Sequence, residues 1–473
     1  MEFDAVVVGS GPNGLAAAIC LQEKGVQVLL LEAKETIGGG MRTEELIEPG
    51  CLHDVCSAVH PMALASPFMR KIPWEGLGVH FIHPDILAAH PIDGGVGGLL
   101  KASLSETART LGKDARNYEQ LFHKMLPHMD SLMTDLLNPT AFPKDPLRFA
   151  AFGWKGLRSA QQLARKFQTT EAKALWGGMA GHSMLALDQL GTAAIGLTLL
   201  AAGHHKGWPF VRGGTQQMAN GLATYFLSLG GKIVTNTYIT DLGQLPRAKA
   251  YLLDVDPKQL LQIAGHRLSD VYKWQLRRFK YGLGVYKMDW ILDEAVPFVY
   301  PPARDAGVVH VGGSFDEIAY GEKCLWQGKM NDYPFVLLAQ PSRWDASRAP
   351  KGKQILWGYC HTPAGFEGSY RAAIENQIER FAPGFKERIL ARHEINAVGM
   401  NDYNANYVGG DINGGKMDIF QLFTRPALRW SPYKTSSRGI YLCSASTPPG
   451  GGVHGMSGQN AARIALKECF GIQ

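Results

Sequence analysis

The opening of the chain constrains its fold more than any other stretch. Phe3-Asp4-Ala5-Val6-Val7-Val8 runs straight into Gly9-Ser10-Gly11-Pro12-Asn13-Gly14, and then into an apolar-periodic run over residues 15–22. A continuous β-branched run is what a strand buried on both faces requires, so the stretch reads as strand, turn, helix. The three glycines meet separate needs. Gly9 makes the tight turn, Gly11 admits a pyrophosphate to the backbone, and Gly14 lets the helix pack closely on the strand. The helix would aim unpaired N–H groups and the positive end of its dipole at that loop, which favours a bound diphosphate. A second apolar strand, residues 26–31, ends in Glu32, eighteen residues past Gly14, where a carboxylate is expected to meet an adenosine ribose. The plain alternative is a glycine turn in an ordinary α/β domain; strand, helix and acid together argue against it.

Gly38-Gly39-Gly40-Met41-Arg42-Thr43 follows Glu32 almost at once. A unit for NAD needs nothing of the kind. The pairing of this extension with the early Gly-x-Gly-x-x-Gly resembles FAD enzymes of the glutathione-reductase type, and among them the amine oxidase and phytoene desaturase branch. That resemblance implies that the extension runs beside the pyrophosphate and ribityl chain of FAD.

At 473 residues the chain exceeds the size at which single cores stop growing, about 250 to 300 residues, so two domains are expected. With 45 % apolar and 19 % charged residues and no low-complexity segment, it is expected to fold throughout. The formal charge of +6 is small for this length, and the cations form no long tract interleaved with aromatics, which argues against a nucleic-acid partner. One short stretch, residues 272–281, does interleave them. A solvated helix face is the plainer reading there, and a peripheral membrane contact the sharper one. The apolar run over residues 191–203 is shorter than the about twenty residues of a membrane span. The fingerprint starts so close to Met1 that no secretory leader is expected before it. The seven cysteines are scattered and form no C-x-x-C, which argues against a disulfide framework, a structural zinc site and a disulfide redox pair; a reducing cytoplasm is the expected compartment.

After the glycine extension, residues 49–61 are polar and rich in breakers, and read as a loop lining a site. Their His53, Asp54, Cys56 and His60 invite a metal reading, but the spacing fits no metal-binding helix or finger. From Ser105 to about His205 the periodicity is helical, over 118–137 and 157–175, with breaks at Pro139, Pro143 and Pro146, and predicts a helical cap. Residues 211–240 then predict a glycine turn, a helix through Leu229 and a strand over 232–240. Strand-like runs at 308–311, 335–338 and 355–359, with a helix over 369–381, predict an antiparallel sheet flooring a substrate domain. The last segment predicts a strand over 439–443, a glycine turn over 444–455 and a helix over 456–470. The division expected is a discontinuous nucleotide domain from residues 1–75, 207–283 and 425–473, and a substrate domain with its helical cap from 76–206 and 284–424.

With both ends read, the sequence resembles the phytoene desaturase (carotenoid and retinoid) family, in order over the whole chain and most strongly in residues 6–43, 212–239 and 407–463. The form of residues 442–455, followed by Asn460-Ala461-Ala462-Arg463, is similar to the branch containing the pyridine nucleotide-disulfide oxidoreductase domain-containing proteins. The resemblance implies an α/β fold with a glutathione-reductase-type Rossmann domain for non-covalent FAD, beside an α+β substrate domain with a helical cap. It implies FAD contacts at Gly9, Gly11, Pro12, Asn13 and Gly14, at Glu32 and Ala33, and at Gly40, Met41 and Arg42. It extends them to Ser57 and Ala58, to the main chain of Ile239, and to Ser444, Ala445, Gly452, Val453, His454 and Gly455. The N-terminus of the last helix would face the flavin's pyrimidine edge and stabilise negative charge there. The chain departs from the family at Ser444, where a glycine is usual, and at His53-Asp54-Val55-Cys56-Ser57, where Phe-Asp-x-Gly-Pro is.

The activity implied is hydride transfer from a C–C bond of an apolar, isoprenoid-like small molecule to flavin N5, with a protein group taking the remaining proton. Asp54, His60, His361 and His454 are candidates for that group by placement alone, and a histidine so placed is commonly a packed structural residue. An amine oxidase is the second reading. It needs an aromatic pair flanking the flavin and usually a lysine near N5, neither of which the sequence locates. A flavin-binding scaffold without turnover is the third. No second Gly-x-Gly-x-x-Gly follows a strand between Ser105 and Met400, so NAD(P)H is expected to have no site of its own.

Overall fold

The computed structural model describes residues 2–472, with Phe423 by its backbone alone. Its first sheet is parallel and five-stranded, in the spatial order Ile440–Leu442, Ala250–Leu253, Ala5–Val8, Val28–Leu31 and Lys232–Val234. The N-terminal strand is the centre of it: Ala5 pairs with Ala250 on one side and Val28 on the other. Ala5, Val6 and Val7 are wholly buried, which is why that strand reads as an unbroken apolar run. The helix Pro12–Gln22 follows, with Pro12 in its first turn, where a missing N–H leaves no bond unmade. Every residue from Asn13 to Gln22 is buried, so the helix has no polar face. It packs against the sheet and against the helices Gln216–Ser228 and Met456–Ala465.

The second sheet has seven strands, in the order Ile389–Ile395, Gly284–Leu292, Gln354–Thr362, Val336–Ala339, Ala306–Val311, Ile86–Ile92 and Val96–Lys101. Its pairs are antiparallel except for Ala306–Val311 beside Ile86–Ile92, which run parallel, so the purely antiparallel expectation needs that correction. All five strands of the first sheet come from residues 1–75, 207–283 and 425–473, and all seven of the second from 76–206 and 284–424. A short ribbon, Phe81–Ile82 with Phe210–Val211, joins the two groups of segments.

The long helices expected in the cap are short ones: Ala115–Phe122, Met129–Leu136, Pro146–Gly156, Ala160–Ala164 and Thr170–Gly181. Leu126-Pro127-His128 forms a 3₁₀ turn that interrupts the first run. Ser159 and Gln162 form a capping box, and Thr169 caps the next helix through Ala172 N–H. Pro146 opens a helix instead of ending one, because Asp145 accepts from Arg148 N–H at 3.2 Å. The strand expected over 232–240 ends at Val234, since Asn236 takes a left-handed φ of 53°. Two unanticipated elements had visible signals: the hairpin Ile86–Ile92/Val96–Lys101 turns on Asp93-Gly94-Gly95, and Phe315–Trp326 starts at a Ser314/Glu317 capping box.

The fingerprint helix and the terminal helix Met456–Ala465 approach so closely that a Cβ on Gly458 would overlap the Asn13 carbonyl. Gly458→Ala should destabilise the protein by about 2 kcal/mol or more, the scale of overpacking against a backbone that cannot yield. Gly153→Ala, in a helix where a Cβ meets nothing within 4 Å, should instead stabilise by about 0.5–1 kcal/mol. Urea denaturation compares the two; a wild-type midpoint for Gly458→Ala would contradict this packing.

Candidate dinucleotide and substrate site

A cavity of about 650 Å³ opens at the carboxyl ends of the parallel strands and extends to the second sheet. Ligands of open α/β sheets bind in such a crevice. One end is walled by Glu32, Ala33, Ile239, Val255 and Gln259, and the neck by Gly9, Gly11, Pro12, Asn13, Gly40 and Arg42. Ser57, Ala58, Ser444, Ala445, Gly452 and Val453 come next, and then an inner chamber of His182, Leu199, Trp208, Val308, Leu337, Trp357 and Tyr359.

The neck is organised by Glu32. Its Oε2 accepts from Ser10 N–H at 2.9 Å and from the Ser10 hydroxyl; its Oε1 accepts from Lys34 N–H at 2.9 Å and from Arg42 Nη2 at 3.1 Å. Arg42 also donates to the Thr36 carbonyl at 2.8 Å, and Gly38 N–H to Ser10 O at 3.1 Å, so one buried ion pair ties the glycine loop to the Gly38–Arg42 extension. Gly9, at φ +98°, turns the chain over the end of the strand, and a Cβ on Gly14 would overlap the Gly9 carbonyl. The geometry forms a backbone-lined trough at a helix N-terminus, which suits a diphosphate. On its floor lies Asp254, at the end of the strand Ala250–Leu253, whose Oδ2 accepts from Gly14 N–H at 2.8 Å. Burial pushes this carboxyl up to about 7; the Gly14 bond opposes the rise and the Glu32 charge adds to it. Asp254 has a sequence signal of its own, since Asp254-Val255-Asp256-Pro257 after an apolar run marks a strand end before a helix.

Four of the expected dinucleotide contacts lie outside the lining: Gly14, Met41, His454 and Gly455. Gly14 and Gly455 are packing positions, the latter facing Phe68 and Ala16, and Met41 is wholly buried in the core. The four proton-acceptor candidates stand off the cavity wall as well. Asp54 pairs with the buried Arg348 and accepts from the half-buried Thr43 hydroxyl at 2.6 Å and from the buried Thr215 N–H at 2.9 Å. His60 is held by the Thr215 hydroxyl at 3.0 Å, and burial takes its pKa down to about 4. His361 Nδ1 faces Glu322 at 2.8 Å. His454 accepts from Met456 N–H at 3.1 Å through Nδ1 and donates from Nε2 to Gly450 O at 3.2 Å, so it caps the terminal helix; burial lowers it too, to about 4. These partners explain why such residues do not face the cavity. The group His53, Asp54, Cys56 and His60 disperses to separate partners, His53 to Asp289 at 3.4 Å and Cys56, on the cavity wall, to the Tyr407 hydroxyl at 3.5 Å.

The inner chamber is walled by an aromatic pair, with a buried lysine behind that wall. Trp357 and Tyr359 alternate along one strand and so share a face, with ring centroids 5.3 Å apart at 76°. Lys287, opposite Tyr359 on the neighbouring strand, brings Nζ to 5.1 Å from the Trp357 centroid and pairs with Asp289 at 2.6 Å. Burial lowers the Lys287 pKa while Asp289 opposes that. Only the pairing register, which spans about seventy residues of chain, brings these groups together.

The Asp254 carboxyl is neutral below about pH 7 and charged above it, so an incoming diphosphate meets an added negative charge as pH rises through that value. ADP affinity should fall by about tenfold between about pH 6 and about pH 8.5, and Asp254→Asn should flatten that dependence. Calorimetric titration measures both; an unchanged slope in the variant would remove Asp254 from the trough.

Residues 7–70 match a family described as NAD(P)-binding Rossmann-like domain. Mouse pyridine nucleotide-disulfide oxidoreductase domain-containing protein 2 is 25 % identical, over 99 % of this chain and 94 % of its own. A limonene dehydrogenase component from Castellaniella defragrans is 21 % identical, over 99 % and 95 %. The structure of cyclohexylamine oxidase from Brevibacterium oxydans superimposes with a TM-score of 0.57 at 16 % identity, covering 99 % of both chains. The chain thus has a Rossmann-like dinucleotide domain within the fold of FAD-dependent oxidoreductases, and is related to pyridine nucleotide-disulfide oxidoreductase domain-containing protein 2.

Proposed function

We propose that the protein binds FAD non-covalently and acts as a dehydrogenase or desaturase on a C–C bond of an apolar, isoprenoid-like molecule. The observation that carries this reading is the continuity of the glycine-lined neck with a chamber walled by Leu199, Trp208, Val308 and Leu337, which offers apolar surface beyond the dinucleotide trough. Glu32 and Arg42 would hold the adenosine side, the Gly9–Gly14 backbone the diphosphate, and Ser444, Ala445, Gly452 and Val453 the ring side. When bound, FAD supplies a two-electron acceptor for hydride. The chain's own part is to orient the substrate carbon and exclude water, which Trp208, Trp357 and Tyr359 do by filling the chamber with aromatic surface. The full-length similarity to the limonene dehydrogenase component supports an apolar substrate.

A second reading, an amine oxidase, is favoured by the Trp357–Tyr359 pair with Lys287 beside it, and by the fold likeness to cyclohexylamine oxidase. Anaerobic mixing of the flavin-loaded protein with limonene, with cyclohexylamine, and with NADH or NADPH separates these. Bleaching of the flavin is expected with the terpene; bleaching by the amine alone would establish the second reading. Fast, saturable bleaching by a nicotinamide would reveal a donor site that the proposal lacks. Acid precipitation should free the flavin; retention in the pellet would point to a link at Cys56, which lines the cavity.

The proposal includes delivery from a membrane surface. No described helix is long and apolar enough to cross a bilayer. Trp274, on the helix Asp270–Arg277, is 55 % exposed with Arg278 stacked over it at 4.3 Å. In the segment packed beside it, Arg429 lies 5.1 Å from the Tyr272 ring and Trp430 is fully exposed. Interleaved cations and indoles suit an anionic interface. Co-sedimentation with vesicles containing phosphatidylserine should fall in the Trp274→Ala/Trp430→Ala variant; binding unchanged by it would exclude this face.

A further inference from the structure

The inner chamber has a polar end. His182 caps the helix Thr170–Gly181 and lines the cavity beside Leu199 and Trp208. Its Nε2 shares a hydrogen bond of 3.1 Å with Nε2 of His310, on the strand Ala306–Val311. His90, on the adjoining strand Ile86–Ile92, donates from Nε2 to the Gly313 carbonyl at 2.8 Å. The Nδ1 atoms of His90 and His310 are buried without partners among the described residues. They converge on the space left at Gly178, at 2.5 and 2.8 Å from where its Cβ would stand. Trp208 meets both His182 and His310 edge to face, at 6.0 and 6.2 Å. The ring of His182 is therefore held from behind, while its Nδ1 has no partner among the described residues.

Burial takes His182 down to about 3, with His361 adding to the fall; it takes His90 to about 4, and His310 well below its ordinary value. All three rings are neutral at ordinary pH. We infer that the substrate carries an uncharged hydroxyl on its apolar skeleton, and that His182 is the specificity-determining residue that hydrogen-bonds it. The inference rests on reading the chamber as the substrate site of the proposed oxidoreductase. It follows from what a neutral imidazole can offer. If the His182–His310 bond runs outward from His182, Nδ1 is an acceptor; if it runs the other way, Nδ1–H is a donor. A hydroxyl answers either state. A carboxylate answers only the donor and an ammonium only the acceptor. Each of these ions would also lose its hydration among Leu199, Trp208, Val308 and Leu337, none of which can compensate it. A bare hydrocarbon such as limonene can enter the chamber but leaves the ring nitrogen without a partner, and so binds more weakly than a hydroxylated counterpart.

The test uses the full-length protein with its flavin and three probes of one chain length: 1-octanol, octylamine and sodium octanoate, titrated at about pH 7.5. Quenching of tryptophan fluorescence and perturbation of the flavin spectrum are the two readouts. 1-Octanol should half-saturate at about tenfold lower concentration than either ion. His182→Leu should weaken 1-octanol binding severalfold while leaving the two ions little changed, and His182→Gln, which keeps a donor and an acceptor, should retain the octanol affinity. His310→Leu, which removes the ring's support, should weaken it severalfold. Binding of octylamine or octanoate as tight as that of octanol, binding of none of the three, or 1-octanol binding undiminished in His182→Leu would overturn the inference. Octylamine or octanoate binding as tightly as octanol in the unmodified protein overturns it without any variant. A protein that takes up no flavin would instead sink the oxidoreductase reading, and the fluorescence arm still reports the octanol preference there, so the two failures are distinguishable.

Discussion

Backbone contact without intervening side chains is the constraint on which this architecture depends. The helix Pro12–Gln22 lies on the Gly9 carbonyl at Gly14 and under the terminal helix at Gly458, where any Cβ would collide with backbone. These two approaches set the height of the helix above the parallel sheet. That height fixes where the first-turn N–H groups point, and thus where a diphosphate can lie. Asp254 is placed by the same geometry, because its bond to Gly14 N–H exists only while the helix sits this low.

A second set of buried charges ties the trough to the other sheet. Asp54, from the loop after the glycine extension, pairs with Arg348, which stands near Asp345 at 3.6 Å and donates to Leu52 O at 3.3 Å. Removing one member of such a pair strands the other in a dry interior, at a cost of about 3–5 kcal/mol. The role of Asp54 is therefore architectural: it holds the loop carrying Ser57 and Ala58 against the cavity. The cluster of Lys287, Asp289 and His53 does the same one strand further along.

The trough was legible in the sequence because its parts are local. Gly9 to Gly14, Glu32 and Gly40 to Arg42 fall within a few dozen residues, and the contacts expected at Ile239, Ser444 and Val453 also stand on the cavity wall. The inner chamber was not legible in the same way. Trp357, Tyr359 and Lys287 meet through an antiparallel register, and His182 and His310 through the packing of a helix on a strand far from it in sequence. Nothing in the residues around His361 or His60 distinguishes a wall position from a position one layer behind it; only the partners, Glu322 and Thr215, do. The cap's helix boundaries were missed for a smaller reason. Ser159 and Thr169 are capping residues that interrupt a periodicity which by itself reads as continuous.

The place of the strand Ile440–Leu442 bears on when the protein matures during synthesis. It forms the outer edge of the parallel sheet, and the cavity wall from Ser444 to Val453 follows it directly. A ribosome emits this strand long after the fingerprint, so the nascent chain carries an unclosed trough through all of that interval. Ala250–Leu253 meanwhile exposes an unpaired edge, the kind of surface that recruits chaperones or stray strands. The cavity wall is thereby completed only once that strand has emerged, and a transcript truncated shortly before residue 440 would yield a protein with a complete fingerprint and no closed pocket.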